Sequence, residues 1–286
     1  MSLDAIKRKI SSVQTTAKIT NAMKLVATAK LKRQRDRLAA IKEYCHDYYD
    51  VIGLLLSVVN DIEFLKIPNA KNRTLYITIN STMGLAGSYN YNVNKLVSKI
   101  INEDDITFTI GKKGHDFMRL SNRLHQVNTY LNLNDNDLTF DMSLQIAREA
   151  LELYSNGEVN KICIIYTKFI NAITFEVNNI DVLPFDKTVL TKDNLAETIE
   201  LAKDNIIFQP NKVELVKKIL PTYIATVLYG SLIESKISEN ASRRNAMDAA
   251  TKNAKALAED YKLIYNTLRQ GKITREITEI VAGSDD

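Results

Sequence analysis

Proline and glycine almost vanish at both ends of this chain, and that constrains the fold more than any other feature. Between Ser2 and about Glu63 there is no Pro and a single Gly, Gly53. Leu3, Ile6, Ile10, Val13 and Ala17 step by 3-4-3-4, and Leu38, Ile41, Cys45, Tyr48, Ile52, Leu55, Val59 and Ile62 step the same way. Ala17 and Leu38 lie 21 residues, or three heptads, apart, so both sets share one frame. Between them that frame holds Thr20, Lys24, Ala27, Leu31 and Gln34, a more polar seam. The spacing predicts one helix of about 60 residues, about 90 Å long at 1.5 Å per residue. A helix of that length needs its apolar seam covered by another, so a coiled coil is expected.

The other end repeats the argument. Pro210 stands where a first helical turn tolerates it, and Pro221 either kinks the helix or restarts it. From Thr222 to Arg269 there is one Gly and no Pro. Met247, Ala250, Ala254, Leu257, Tyr261, Ile264 and Leu268 step 3-4-3-4-3-4; Gly271 interrupts, and Ile273, Ile277 and Ile280 continue at helical spacing.

Between the two ends the period changes. Strands are predicted at Thr74–Ile79, Ile106–Ile110, Lys161–Thr167 and Ile173–Val182, the last two forming a hairpin around Asn171. Helices are predicted at Asn92–Ile101, Lys112–Leu120, Phe140–Tyr154 (ended by Asn156-Gly157) and Thr191–Asp204. Alternating strands and helices favour a small α/β domain with a largely parallel sheet. The fold class is therefore α/β: an N-terminal helix over 1–66, an α/β insert over 67–208, and a C-terminal helix over 209–286. Because the insert returns the chain, the two end helices can pair as a long antiparallel coiled coil within one molecule.

Composition narrows the function classes. The chain has 286 residues, 45% of them hydrophobic and 25% charged, enough apolar material to exclude dominant disorder. The net charge of +4 is too small to imply nucleic acid. Two cysteines, Cys45 and Cys163, cannot build a disulfide framework, which suggests a reducing compartment. The residues from Met1 to Lys9 carry charges where a signal peptide needs an apolar core. The longest apolar run, Val51–Val59, is too short to span a bilayer, so any membrane role is peripheral.

Candidate chemistry is sparse. Gly84-Leu-Ala-Gly87 sits between a strand and a helix, where a phosphate cradle would be, but is not G-x-G-x-x-G. Gly111-Lys-Lys-Gly114 lacks the length of a P-loop. Tight turns are the simpler reading of both. His46, His115 and His125 are scattered, with no metal-ligand spacing. Cys45 falls in the heptad seam as a small core residue. The acid pairs Asp104-Asp105 and Asp135/Asp137 read as solvated loop residues. The basic run Lys30–Arg37 fits a solvated helix face, nucleic acid or anionic lipid, or a helix seated inside an acidic protein collar. Neither a cofactor nor a metal is expected.

The two ends resemble one family. Ile6-Lys-Arg-Lys-Ile10 with Lys18-Ile-Thr-Asn-Ala-Met-Lys-Leu-Val-Ala27 and Lys30-Leu31 is similar to the N-terminal signature of gamma subunits of rotary F-type ATP synthases. Glu234-Ser235, Ser238-Glu239, Arg243, Ala246-Met247, Ala250-Thr251, Asn253-Ala254, Tyr265-Asn266, Arg269-Gln270, Ile273-Thr274, Glu276 and Glu279-Ile-Val281 resemble the C-terminal signature. The resemblance implies a non-catalytic rotor shaft, one copy per complex. Its helices would turn inside a hexamer of alpha and beta subunits. A Rossmann-like insert without nucleotide would meet the epsilon subunit and the c-ring, at the cytoplasmic side of the membrane.

Residue by residue, the resemblance implies that Arg269 and Gln270 hydrogen-bond a beta-subunit loop, with Thr274 and Glu276 near the same contact. It implies that Met23 and Arg243 affect coupling, and that Lys18 and Lys24 face acidic beta-subunit surfaces. The sequence departs from the family at Ser81–Gly87, where Asp, Arg and Cys are absent, at Arg244, and in the polar end Gly283-Ser-Asp-Asp286. These departures also fit a gamma-like shaft of a dedicated ATP-hydrolysing complex. A Rossmann-like enzyme and a basic coiled-coil binding protein stand as readings from other classes.

Overall fold

The computed structural model describes residues 2–58, 71–134, 137–184 and 212–282, with side chains described outside 42–58, 212–213 and 281–282. Two helices dominate: α1 over Leu3–Val58 and α5 over Lys212–Ala282. Between them come β1 Thr74–Ile79, α2 Tyr89–Ile100, β2 Ile106–Ile110, α3 Lys112–Leu120, β3 Val127–Leu131, α4 Phe140–Ser155, β4 Lys161–Phe169 and β5 Phe175–Leu183. Val59 and Ile62, Asp135, the segment Thr191–Asp204, Pro210 and the end Gly283–Asp286 lie outside the described residues, as do the side chains of Cys45, His46, Tyr48, Ile52 and Leu55.

The chain forms two compact units, Lys30–Ser242 and Met1–Ala29 with Arg243–Asp286. In the first, five strands lie in the order β3-β2-β1-β4-β5. β1 pairs in parallel with β2 and β4, β2 in parallel with β3, and β4 antiparallel with β5. The period of two sorts side chains onto the two faces. Leu75, Ile77, Ile79, Ile162, Ile164 and Tyr166 join a core with Ala147 and Ala150 of α4 and Val216, Leu220, Ile224 and Leu228 of α5. On the opposite face Ile165 packs with Val93 and Val97 of α2 and Met118 of α3. Further along α5, Tyr229, Ile233, Ile237 and Ala241 pack with Leu31, Leu38 and Ile41 of α1. The same helix thus covers a sheet face with one stretch and pairs with α1 with the next.

Four expectations need correction. β3 is absent from the sequence-based strands, because Val-Asn-Thr-Tyr-Leu alternates half-buried and exposed positions at the sheet edge and has no apolar run. Asp105 is not solvated: it is 5% exposed, and its carboxylate accepts the main-chain N–H of Thr74 and of Asn102, both at 2.8 Å. Gly271 interrupts nothing, since α5 passes through it, as it passes through Pro221. α2 begins at Tyr89, whose ring is buried and whose hydroxyl donates to the Ile79 carbonyl at 3.3 Å.

Gly111-Lys-Lys-Gly114 has a steric purpose. Gly111 has φ +94°, and a Cβ there would stand 2.2 Å from the Asn80 carbonyl oxygen. A Cβ on Gly114 would stand 2.5 Å from the Asn80 Oδ1. The two glycines let the β2–α3 turn close over the end of β1.

Candidate functional site

In the unit built from both chain ends, α1 and α5 run antiparallel. The Lys9 ammonium lies 5.6 Å from the centre of the Tyr261 ring, Thr20 Oγ1 is 2.7 Å from Thr251 Oγ1, and Lys24 Nζ is 2.8 Å from Asp248 Oδ1. Each advance along α1 is matched by a retreat along α5. The heptad frame of α1 holds: Ile6, Ala17, Thr20 and Ala27 are buried, and Leu3, Ile10, Val13 and Lys24 are half-buried.

The frame of α5 holds only in part. Met247 and Ala254 are buried, Ala250 and Tyr261 are half-buried, but Leu257, Ile264 and Leu268 are 43%, 46% and 40% exposed. Thr251 and Ala258 take buried seam positions, and Tyr265 a half-buried one. Hydrophobicity favours the leucines over Thr251 and Ala258. Between Met247 and Tyr261 the seam is lined by small residues and one hydroxyl pair, while Leu257, Ile264 and Leu268 are exposed.

The residues singled out for partner contact fall into two groups. Arg269, Gln270, Thr274 and Glu276 are exposed near the end of α5. Thr274 Oγ1 donates to the Gln270 carbonyl at 3.0 Å, and Glu276 pairs with Lys272 at 3.5 Å. Nearer the middle of the unit, Lys18 is exposed, while Met23 and Arg243 are half-buried. Lys24 is bound to Asp248, which also takes Lys252 at 2.9 Å. Hydrogen bonds from Lys24 and then Lys252 lower the Asp248 pKa to about 2. Asp248 is absent from the sequence expectations, and Thr251 enters them only within the motif that carries the resemblance. Their only local signal is a spacing of three residues, which places both on one face of α5.

The unit Lys30–Ser242 has its own candidate place. In an open α/β sheet, ligands lodge where the strand order reverses, outside the carboxyl ends of the strands. Here that crevice lies between β1 and β4. Around it Ser81 N–H donates to Asn90 Oδ1 at 3.0 Å and Ser81 Oγ to the Met83 carbonyl at 2.7 Å. Leu85 and Gly87 adopt positive φ, 61° and 57°, which makes Ser81–Gly87 a tight turn. α5 occupies the crevice mouth: Ser242 Oγ donates to the Ala86 carbonyl at 2.6 Å, beyond β1. Ser235 Oγ accepts from Thr167 N–H at 3.1 Å, and Ser238 Oγ donates to the Thr167 carbonyl at 3.3 Å, near the end of β4. A protein helix therefore fills the position where doubly wound folds hold a nucleotide. Cys163, in the sheet, has its thiol pushed up to about 12, first by burial and then by the Asp181 carboxylate. It is a protonated core thiol at neutral pH.

The family model described as ATP synthase matches residues 2–285. An ATP synthase gamma chain of Ureaplasma parvum serovar 3 is 93% identical over the full length of both chains. The chain belongs to the ATP synthase gamma-chain family. The ATP synthase gamma chain of Mycoplasmoides gallisepticum is 39% identical, over 99% of each chain. Among solved structures, a chain of the Tetrahymena thermophila mitochondrial ATP synthase central stalk and c-ring is 25% identical with a TM-score of 0.62. That match covers 81% of this chain and 99% of the other. A chain of the Euglena gracilis mitochondrial enzyme shares the fold at TM-score 0.70 and 17% identity, over 98% and 92% of the two chains. Gamma chains are non-catalytic subunits of ATP synthase, which replaces the enzyme and basic-binding readings. Among the described residues no helix is long and apolar enough to cross a membrane.

Proposed function

We propose that this chain is the central rotor shaft of a rotary F-type ATP synthase, coupling rotation to ATP synthesis or hydrolysis at beta-subunit sites. One copy sits in a hexamer of alpha and beta subunits. Segments 1–66 and 209–286 form the shaft; the insert 67–208 meets the epsilon subunit and the c-ring. The complex moves protons or sodium ions and lies at the cytoplasmic side of the cell membrane. Arg269 and Gln270 bind a beta-subunit loop, Thr274 and Glu276 flank that contact, and Lys18, Met23 and Arg243 face the collar. Lys24 acts there with part of its charge already committed to Asp248.

The observation that supports this best is the division of labour across the helix pair. Across the seam, the buried Thr20–Thr251 pair and the half-exposed Lys24–Asp248 pair join one helix to the other. Outside, Lys7, Arg8, Lys18, Arg269, Lys272 and Arg275 are exposed. A rotor must be stiff within and must face its collar with groups that exchange partners at little cost; exposed charges do so, each pair contributing at most about 1 kcal/mol. Arg269→Ala with Gln270→Ala tests the reading. The double variant should assemble with alpha and beta subunits and lose most of the complex's ATP turnover. Turnover at the wild-type rate would remove both residues from the contact, and isolation of the chain without alpha and beta partners would remove the shaft itself.

A further inference from the structure

β1 and β4 pair only as far as Thr78 opposite Ile165. Two residues later, the main-chain N–H and carbonyl of Thr167 point to the side that β1 no longer covers, since β5 takes the other edge at Val177. Both groups are nevertheless bonded. Ser235 accepts from the N–H and Ser238 donates to the carbonyl, as a neighbouring strand would. A third serine, Ser242, reaches the Ala86 carbonyl beyond β1. All three serines are buried, at 1%, 0% and 5% exposure. On the same stretch of α5, Lys236 and Glu239 form an ion pair at 3.0 Å with side chains 7% exposed, and Asn240 Nδ2 donates to the Lys236 carbonyl at 2.9 Å.

We infer that Ser235, Ser238 and Ser242 are positioning residues that lock the sheet to α5, so that the α/β domain turns with the helix and not behind it. The inference rests on the rotor reading above. An apolar helix–sheet contact supplies attraction that is non-directional, and its close packing resists large displacements while setting the angle between the two elements less sharply than directional bonds do. Hydrogen bonds to fixed main-chain groups are directional and weaken steeply when misaligned. Two of them on Thr167 of β4 and one on Ala86 in the loop between β1 and α2 resist rotation of the helix about its own axis as well as sliding along it. The apolar stretch Val216–Leu232 supplies attraction; the serines supply stiffness.

The test is single-molecule rotation of the complex of this chain with its alpha and beta subunits. A bead is attached through Asn128→Cys, on the exposed side of the edge strand β3. During dwells between steps, the angular variance of the bead measures the torsional compliance between sheet and shaft. Ser235→Ala with Ser238→Ala and Ser242→Ala should raise that variance about twofold. Step number and ATP turnover should be kept. Ser242→Ala alone, which loses one bond of the three, should raise it less, and decides the matter if the triple variant does not assemble. Ser242→Thr, which keeps the hydroxyl, should restore the wild-type variance. An unchanged variance in the alanine variants overturns the lock and leaves the rotor reading intact. A wild-type complex that hydrolyses ATP without turning the bead overturns the rotor reading and the lock with it.

Discussion

Lys24 and Asp248, far apart in the chain, meet at 2.8 Å across the antiparallel pair of α1 and α5, and Lys252 holds the other Asp248 oxygen at 2.9 Å. Asp248 thereby titrates at about 2, below the ordinary carboxylate value. A depressed folded-state pKa contributes stability above the unfolded value, roughly pH 4, and loses it as pH falls through the folded value. Asp248→Asn should therefore lower the thermal midpoint of the chain at pH 7 and at pH 5. The gap between variant and wild type should close between pH 4 and about 2. A gap that stays constant down to pH 2 would mean that the carboxylate charge contributes nothing.

Thr20 and Thr251 make the second lock, one turn further along the pair, with their hydroxyl oxygens 2.7 Å apart. One hydroxyl donates its single proton to the other, which leaves the second to donate to a carbonyl of its own helix, Thr16 at 3.1 Å or Met247 at 2.7 Å. Thr251→Val keeps the shape and deletes one hydroxyl, and should cost about 1 kcal/mol. Thr20→Val with Thr251→Val should cost less than the two single changes together, because both singles remove the same bond. Urea unfolding of the four proteins gives the answer; strict additivity would show that the hydroxyls act separately.

How much of this is legible in the sequence depends on whether the signal is local. The α1 frame is readable because Leu3, Ile6, Ile10, Val13 and Ala17 fill it with apolar or small residues, and a helix buries whatever recurs at that spacing. β1, β2, β4 and α3 are readable because each has a run of its own and a flanking turn. The α5 frame is legible only in part: Met247 and Ala254 are buried as the spacing predicts, but Leu257 and Ile264 outweigh Thr251 and Ala258 in hydrophobicity although Thr251 and Ala258 are the buried ones. The serines at 235, 238 and 242 are bound to main-chain groups distant in sequence, and only the resemblance marks out Ser235 and Ser238; Asp105 is bound both by the nearby Asn102 N–H and by the distant Thr74 N–H, and only the first is local. Of the contact residues, Lys24 shows the same limit. Its charge suggests an external partner, and Asp248 supplies one within the chain.

Gly111 is a position where the fold has little latitude. Its φ of +94° is unfavourable to any side chain, and a Cβ would lie 2.2 Å from the Asn80 carbonyl oxygen, which is main chain and cannot swing aside. Gly111→Ala should cost about 3 kcal/mol or more, from backbone strain together with the displaced β1 end. Gly84→Ala is the control: its Cβ would meet only Lys113 Cε, at an ordinary 3.7 Å. Comparing the unfolding midpoints of the two variants isolates the close approach. Equal midpoints would show that the β2–α3 turn relaxes freely.

Gly271 presents the opposite case. It lies inside α5, and a Cβ there would meet nothing within 4 Å. Glycine inside a helix is less stable than alanine by roughly 0.5–1 kcal/mol, because it gives up more backbone freedom on folding. Gly271→Ala should stabilise the isolated chain by about that amount, read from urea unfolding followed by far-UV circular dichroism. The same variant separates two accounts of the neighbouring Arg269 and Gln270. Residue 271 points roughly 200° around the helix from Arg269, at 100° per residue. If Arg269 acts through a contact on its own face, Gly271→Ala should leave ATP turnover of the assembled complex within about twofold, whereas Arg269→Ala lowers it. If the shaft instead needs a soft point beside that contact, the stiffer helix should slow turnover although the chain itself is more stable. A stability gain with turnover preserved would assign the role to the Arg269 and Gln270 side chains.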